Sequence, residues 1–143
     1  MSPSVANLRA AQVRAIANRP VVQGFPVQAE TMRQFGMRFN EWQLPSMQSR
    51  YETDLGPVVV PGESLVEGMA EIAPFDRDAL VTAIRADQAG AITFPEFAAA
   101  AWRAGVTRWT VDFEARVCTY YGNSGQFFEE TYPEVELPAA SGE

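Results

Sequence analysis

A chain of 143 residues that is 47% apolar, with three Trp, four Tyr and nine Phe, is long enough to enclose one sizeable core. Its formal charge is −7 and every positive side chain is an arginine; the absence of lysine and histidine removes amine nucleophiles, Schiff bases and imidazole general bases from the available chemistry. A single cysteine, Cys118, excludes an internal disulfide, a redox pair and a cysteine-rich zinc site.

The charge is unevenly placed. Residues 1–69 hold six arginines and six acids, whereas residues 70–143 hold five arginines and twelve acids. A half this acidic repels a phosphate backbone, so no nucleic-acid partner is expected. The longest apolar runs, such as residues 57–61 and 98–102, are far too short to span a bilayer, and no basic segment leads into a signal-like stretch at the N-terminus. No membrane partner is expected, and a cytoplasmic protein is the default.

Along the chain, a first helix is expected over about residues 4–18, with Val5, Leu8, Ala15 and Ile16 on one side and Arg14 opposite. Phe25-Pro26 opens a second, since proline is tolerated in a first turn, and Gly36 can take the left-handed conformation that ends it. Three strands follow at about 37–44, 47–53 and 58–60, with Pro45 shortening the first hairpin and Asp54-Leu55-Gly56 turning. Asp76 can N-cap a third helix to about Ala86 that carries Leu80 and Ile84. Thr93-Phe94-Pro95-Glu96 then fits a capping box. The helix it starts places Phe94, Phe97, Ala98, Ala101 and Trp102 on one stripe, and Gly105 closes it.

Beyond Gly105 the period changes from 3.6 to 2. Thr107, Trp109, Val111 and Phe113 alternate with Arg108, Thr110 and Asp112, the pattern of a strand with one buried, aromatic face. Glu114-Ala115-Arg116 is a short loop, residues 117–121 return, and Asn123-Ser124-Gly125 turns into a third strand over 126–132.

The two halves follow one plan at an offset of 69 residues. Phe25-Pro26 matches Phe94-Pro95, Ala29 matches Ala98, Gly36 matches Gly105, Tyr51 matches Tyr120, Gly56 matches Gly125, and Val66-Glu67 matches Val135-Glu136. The matches fall where structure changes. The expected fold is therefore α+β: a tandem duplication of a helix-helix-antiparallel β-meander unit, about 1–69 and 70–137, packed as one domain, with a flexible tail at 138–143.

Thr93-Phe94-Pro95-Glu96-Phe97, Ala104-Gly105-Val106, Val111-Asp112-Phe113 and Thr119-Tyr120-Tyr121-Gly122 together resemble an uncharacterised bacterial family often labelled phage envelope protein. The resemblance is strongest over residues 76–132. The N-terminal half keeps Phe25-Pro26 and Gly36 but has Trp42-Gln43-Leu44 in place of Val111-Asp112-Phe113. The resemblance implies no activity, cofactor or substrate, and the label brings no residue-level mechanism.

Few constellations suggest chemistry. The segment from Asp87 to Phe97 resembles the second half of an EF-hand, but counting back from Gly90 puts Arg85 and Ala89 where oxygen ligands must stand, so no metal is expected. No cofactor and no catalytic residue is assigned. A catalytic reading would centre on Asp112, Glu114, Arg108, Arg116, Tyr120 and Tyr121, with a carboxylate as base and Asp112 and Arg108 on one strand face meeting a polar ligand together; the bland alternative is a solvated cross-strand ion pair. Cys118, with no histidine to activate it, reads as an inert buried thiol. Trp109, Tyr120, Tyr121, Phe127, Phe128 and Tyr132 fall on consecutive strands, and some are expected to form a core against Phe97 and Trp102.

The best candidates for polar ligand contacts are Arg108, Asp112, Arg116 and Tyr121. Two functions stay open. The preferred one is a non-enzymatic interaction or regulatory module whose paired units form a groove or a dimerisation face with a second copy or another protein. The alternative is a small-molecule-binding protein or enzyme with carboxylate and arginine groups in a cleft between the repeats.

Overall fold

A computed structural model describes residues 2–137, so the tail expected at 138–143 lies outside the described residues. The first helix, α1 (Pro3–Asn18), is capped by Ser2, whose hydroxyl accepts from the Val5 N–H at 3.3 Å. Its buried stripe is Leu8, Ala11 and Ala15. Ile16 does not belong to it, contrary to the sequence reading: one residue past Ala15 the helix has turned about 100°, and Ile16 stands 75% exposed.

The second helix, α2 (Gly24–Gln34), buries Ala29 and Met32 and ends through Phe35 into Gly36 at φ +89°. Asp76 caps α3 (Arg77–Gln88) by accepting from the Ala79 N–H at 3.0 Å. The capping box of α4 (Phe94–Arg103) is complete: Thr93 Oγ1 accepts from Glu96 N–H at 3.3 Å, and Glu96 Oε1 accepts from Thr93 N–H at 2.9 Å. No helix among the described residues is long and apolar enough to cross a membrane.

Six strands form one antiparallel sheet: β1 (Met37–Gln43), β2 (Ser49–Thr53), β3 (Val58–Val60), β4 (Arg108–Asp112), β5 (Val117–Tyr121) and β6 (Phe127–Thr131). Their spatial order is β3-β2-β1-β4-β5-β6. The chain is thus α+β, with the order helix, helix, strand, strand, strand occurring twice. The third strand of the second set, expected over 126–132, is a residue shorter at each end.

The register carries the 69-residue offset. Across the central β1–β4 pair, Glu41 faces Thr110, Phe39 faces Asp112 and Gln43 faces Arg108, so adding 69 to one strand's residues returns the same pairs. Asn40 faces Tyr51 just as Trp109 faces Tyr120, and Trp42 faces Ser49 just as Val111 faces Cys118. The outer pairs depart by one residue, with Tyr51 opposite Val58 but Tyr120 opposite Phe128.

Helices α1 and α2 pack on each other, as do α3 and α4, while contact between the two pairs is sparse. Both pairs lie on the sheet face that carries Trp109, Val111 and Phe113, all buried in a single apolar core. The gap between the pairs therefore opens onto the middle of the sheet.

Candidate functional site

Register places two rows of side chains under that gap. Trp42, Trp109, Tyr120 and Phe128 are cross-strand neighbours on β1, β4, β5 and β6, and beside them run Tyr51, Asn40, Val111, Cys118 and Glu130. From above, α2 contributes Phe25, Gln28, Ala29 and Met32, α3 contributes Ile84, Asp87 and Gln88, and α4 contributes Phe94 and Phe97. Between them lies a cavity of about 120 Å³, lined from both halves of the chain.

Its aromatic wall is continuous. Trp109 meets Trp42 at 5.8 Å between ring centroids, Phe97 at 5.5 Å, Phe94 at 6.1 Å and Tyr120 at 6.0 Å. All four contacts are tilted or edge-on, the arrangement that ring quadrupoles favour. Phe25 and Tyr132 make a further edge contact at 5.1 Å.

The polar groups sit where helix ends reach the sheet. Arg19, just past α1, donates to Gln28 Oε1 at 2.8 Å and lies 4.0 Å from Asp87 on α3, so it bridges the two helix pairs. The connection beside it is tied down as well, with the Gln23 N–H donating to the Gln88 carbonyl at 2.8 Å. Arg85 donates to Glu130 at 2.6 Å and to Gln88 at 2.8 Å.

Electrostatics single out the same place. Burial raises the Asp87 carboxyl against a smaller opposing pull from Arg19. Burial likewise raises Tyr51, lifts Tyr120 well above the usual phenol range with Glu130 and Asp87 contributing, and pushes Cys118 up to about 12 with Glu130 adding to the effect. Tyr132 is raised by burial too. All five groups line this cavity.

Of the residues proposed from sequence, Tyr120 lines the cavity, and the others lie elsewhere, on the uncovered face of the sheet or its hairpin. Arg108 stacks on the Tyr121 ring at 3.7 Å and stands 4.0 Å from Glu41. Asp112 caps the β4–β5 turn, its Oδ1 accepting from the N–H of Glu114 at 3.1 Å and of Ala115 at 2.9 Å. Arg116 sits in that turn at φ +57°, 4.0 Å from Glu134, and Glu114 is paired with Arg38. Arg108 and Asp112 occupy opposite ends of β4, roughly 13 Å apart at strand rise, so they do not meet.

Sequence reasoning passed over Arg19, Tyr51, Asp87 and Glu130. Tyr51 was findable as the counterpart of Tyr120. The other three carry no spacing signal, because contacts distant in sequence bring them together.

A sheet with two helix pairs on one face and a pocket between them makes an α+β fold. The chain belongs to the family described as protein of unknown function (DUF1398), whose model matches residues 63–130, the stretch spanning α3 to most of β6. It is 60% identical over 136 residues to an uncharacterized protein of Mycobacterium tuberculosis (strain ATCC 25618 / H37Rv), spanning 95% of this chain and 83% of the relative. The same figures hold for an uncharacterized protein of Mycobacterium bovis (strain ATCC BAA-935 / AF2122/97).

Proposed function

We propose that this chain is a cytoplasmic, non-enzymatic binding module that holds a small, largely apolar molecule in the cavity between its two helix pairs. Residues 1–69 and 70–137 are read as duplicated units sharing one interior, and the pocket as a product of their junction. One observation carries the proposal: the five groups whose acidity burial weakens all line this cavity, which also has a continuous aromatic wall. Apolar concavities with a few convergent, perturbed polar groups are where small ligands bind. An apolar cavity of about 150 Å³ accommodates a benzene ring, so the size suits a single ring.

The test is a thermal-shift titration with toluene. Binding to the folded state alone raises the melting temperature as toluene concentration rises. Cys118→Met, which adds atoms at the cavity wall, removes the response; an unchanged response in that variant, or none in the wild type, refutes the proposal.

A second reading, association with a protein partner or a second copy, is favoured by Val13, Ile16, Val21 and Val22, which stand 58–76% exposed on α1 and the following connection. Light scattering across concentration checks it: a strict monomer removes self-association.

A further inference from the structure

The polar groups of the cavity are unequally committed. Arg19 gives a hydrogen bond to Gln28 and faces Asp87 at 4.0 Å. Asn40 Nδ2 donates to the Arg50 carbonyl at 3.1 Å, which leaves its oxygen as an acceptor. One oxygen of Glu130 takes the Arg85 bond, and its other oxygen makes no bond among the described residues. The Asp87 carboxylate accepts none there, and Arg19 lies 4.0 Å from it. The hydroxyl of Tyr120, a residue nine-tenths buried, has no partner among the described residues and faces this space.

Uncommitted acceptors beside ring faces form a site for a donor that also carries positive charge. A ligand carboxylate would instead meet Asp87 and Glu130, with Arg19 already engaged. The formal charge of −7 works in the same direction by favouring the approach of cations.

We propose that the cavity selects a single-ring aromatic amine, with its ring against Trp109 and Tyr120 and its ammonium group held by Asp87 and Glu130. This selectivity rests on the reading of the cavity as the binding site. The ammonium supplies the hydrogen bonds that Asp87 and the free oxygen of Glu130 lack, and the neighbouring rings add cation–π attraction. Size limits the ring, and charge chooses its substituent.

Three probes of similar size separate the selectivity from the site itself: benzylamine, cationic at pH 7, neutral toluene and anionic benzoate, each titrated into the full chain while tryptophan emission, to which Trp42 and Trp109 at the cavity contribute, is followed. Benzylamine is expected to bind roughly tenfold more tightly than toluene, the gain of about one partly buried ion pair, with benzoate weakest. Asp87→Asn and Glu130→Gln should each reduce the ratio of benzylamine affinity to toluene affinity. If toluene binds and benzylamine gains nothing, or if benzoate binds best, the amine selectivity is overturned and the cavity stands as an apolar site. If none of the three binds, both readings fall.

Discussion

Tyr51 and Tyr120, 69 residues apart, hold corresponding places on β2 and β5, and both turn into one cavity. Tyr120 is 9% exposed, with a hydroxyl that finds no protein partner among the described residues. Removing a hydroxyl that bonds no protein group breaks no protein–protein bond. Tyr120→Phe should therefore leave urea stability unchanged within about 0.5 kcal/mol, or raise it. A loss above about 1.5 kcal/mol would show that the hydroxyl is bonded after all.

Two glycines at equivalent helix ends should respond differently to the same change. Gly36 and Gly105 have φ of +89° and +87°, so alanine is strained at either, by roughly 1–2 kcal/mol. A Cβ at Gly105 would also lie 2.6 Å from the Pro74 carbonyl oxygen and 2.7 Å from that of Ala73, whereas at Gly36 the nearest atoms belong to the Asp54 side chain. Backbone cannot swing away as a side chain can. Gly105→Ala should cost more than Gly36→Ala in parallel denaturation curves, and equal costs would mean that the approach to residues 73–74 relaxes freely.

The helix boundaries were legible because their chemistry is local: Asp76 and Thr93 cap, Glu96 closes the box, and Gly105 reverses the chain within a few residues. The strands of the second half were legible from the alternation around Trp109. The cavity was not. It depends on β1 lying beside β4, which sets Trp42 next to Trp109, and no local pattern announces which strand of the first half takes that place. Asp112 attracted attention as a carboxylate near arginines, yet its oxygen serves the backbone of its own turn. Asp87, read as the start of an EF-hand-like segment, takes its character from burial at the cavity beside Arg19, 68 positions away in the chain.

Stability against pH should show opposite signs at two carboxylates. Folding raises Asp87, so as pH climbs from the ordinary aspartate range through the raised folded value, the unfolded chain releases the proton first and stability falls. Asp87→Asn should be more stable than the wild type above that interval, with the advantage gone below it. Glu30 is lowered by its bonds from Arg33 and Gln34, with burial opposing, so Glu30→Gln should destabilise at neutral pH and lose that effect as pH falls through the folded value. Urea titrations from acid to neutral pH resolve both signs.

Cys118, 8% exposed and with its thiol pushed up to about 12, should resist alkylation by iodoacetamide at pH 8 in the native protein and react at the rate of a free thiol in urea. Fast native modification would show that the sulfur is reachable from outside and that the cavity is open beside β5.

The position of the binding site is tested most directly by a ¹H–¹⁵N correlation titration of the labelled chain with toluene. Binding between the helix pairs shifts Met32, Asp87, Trp109, Val111 and Tyr120 together while Arg108, Asp112 and Tyr121 hold still; shifts concentrated on the open sheet face, or none at all, would contradict it.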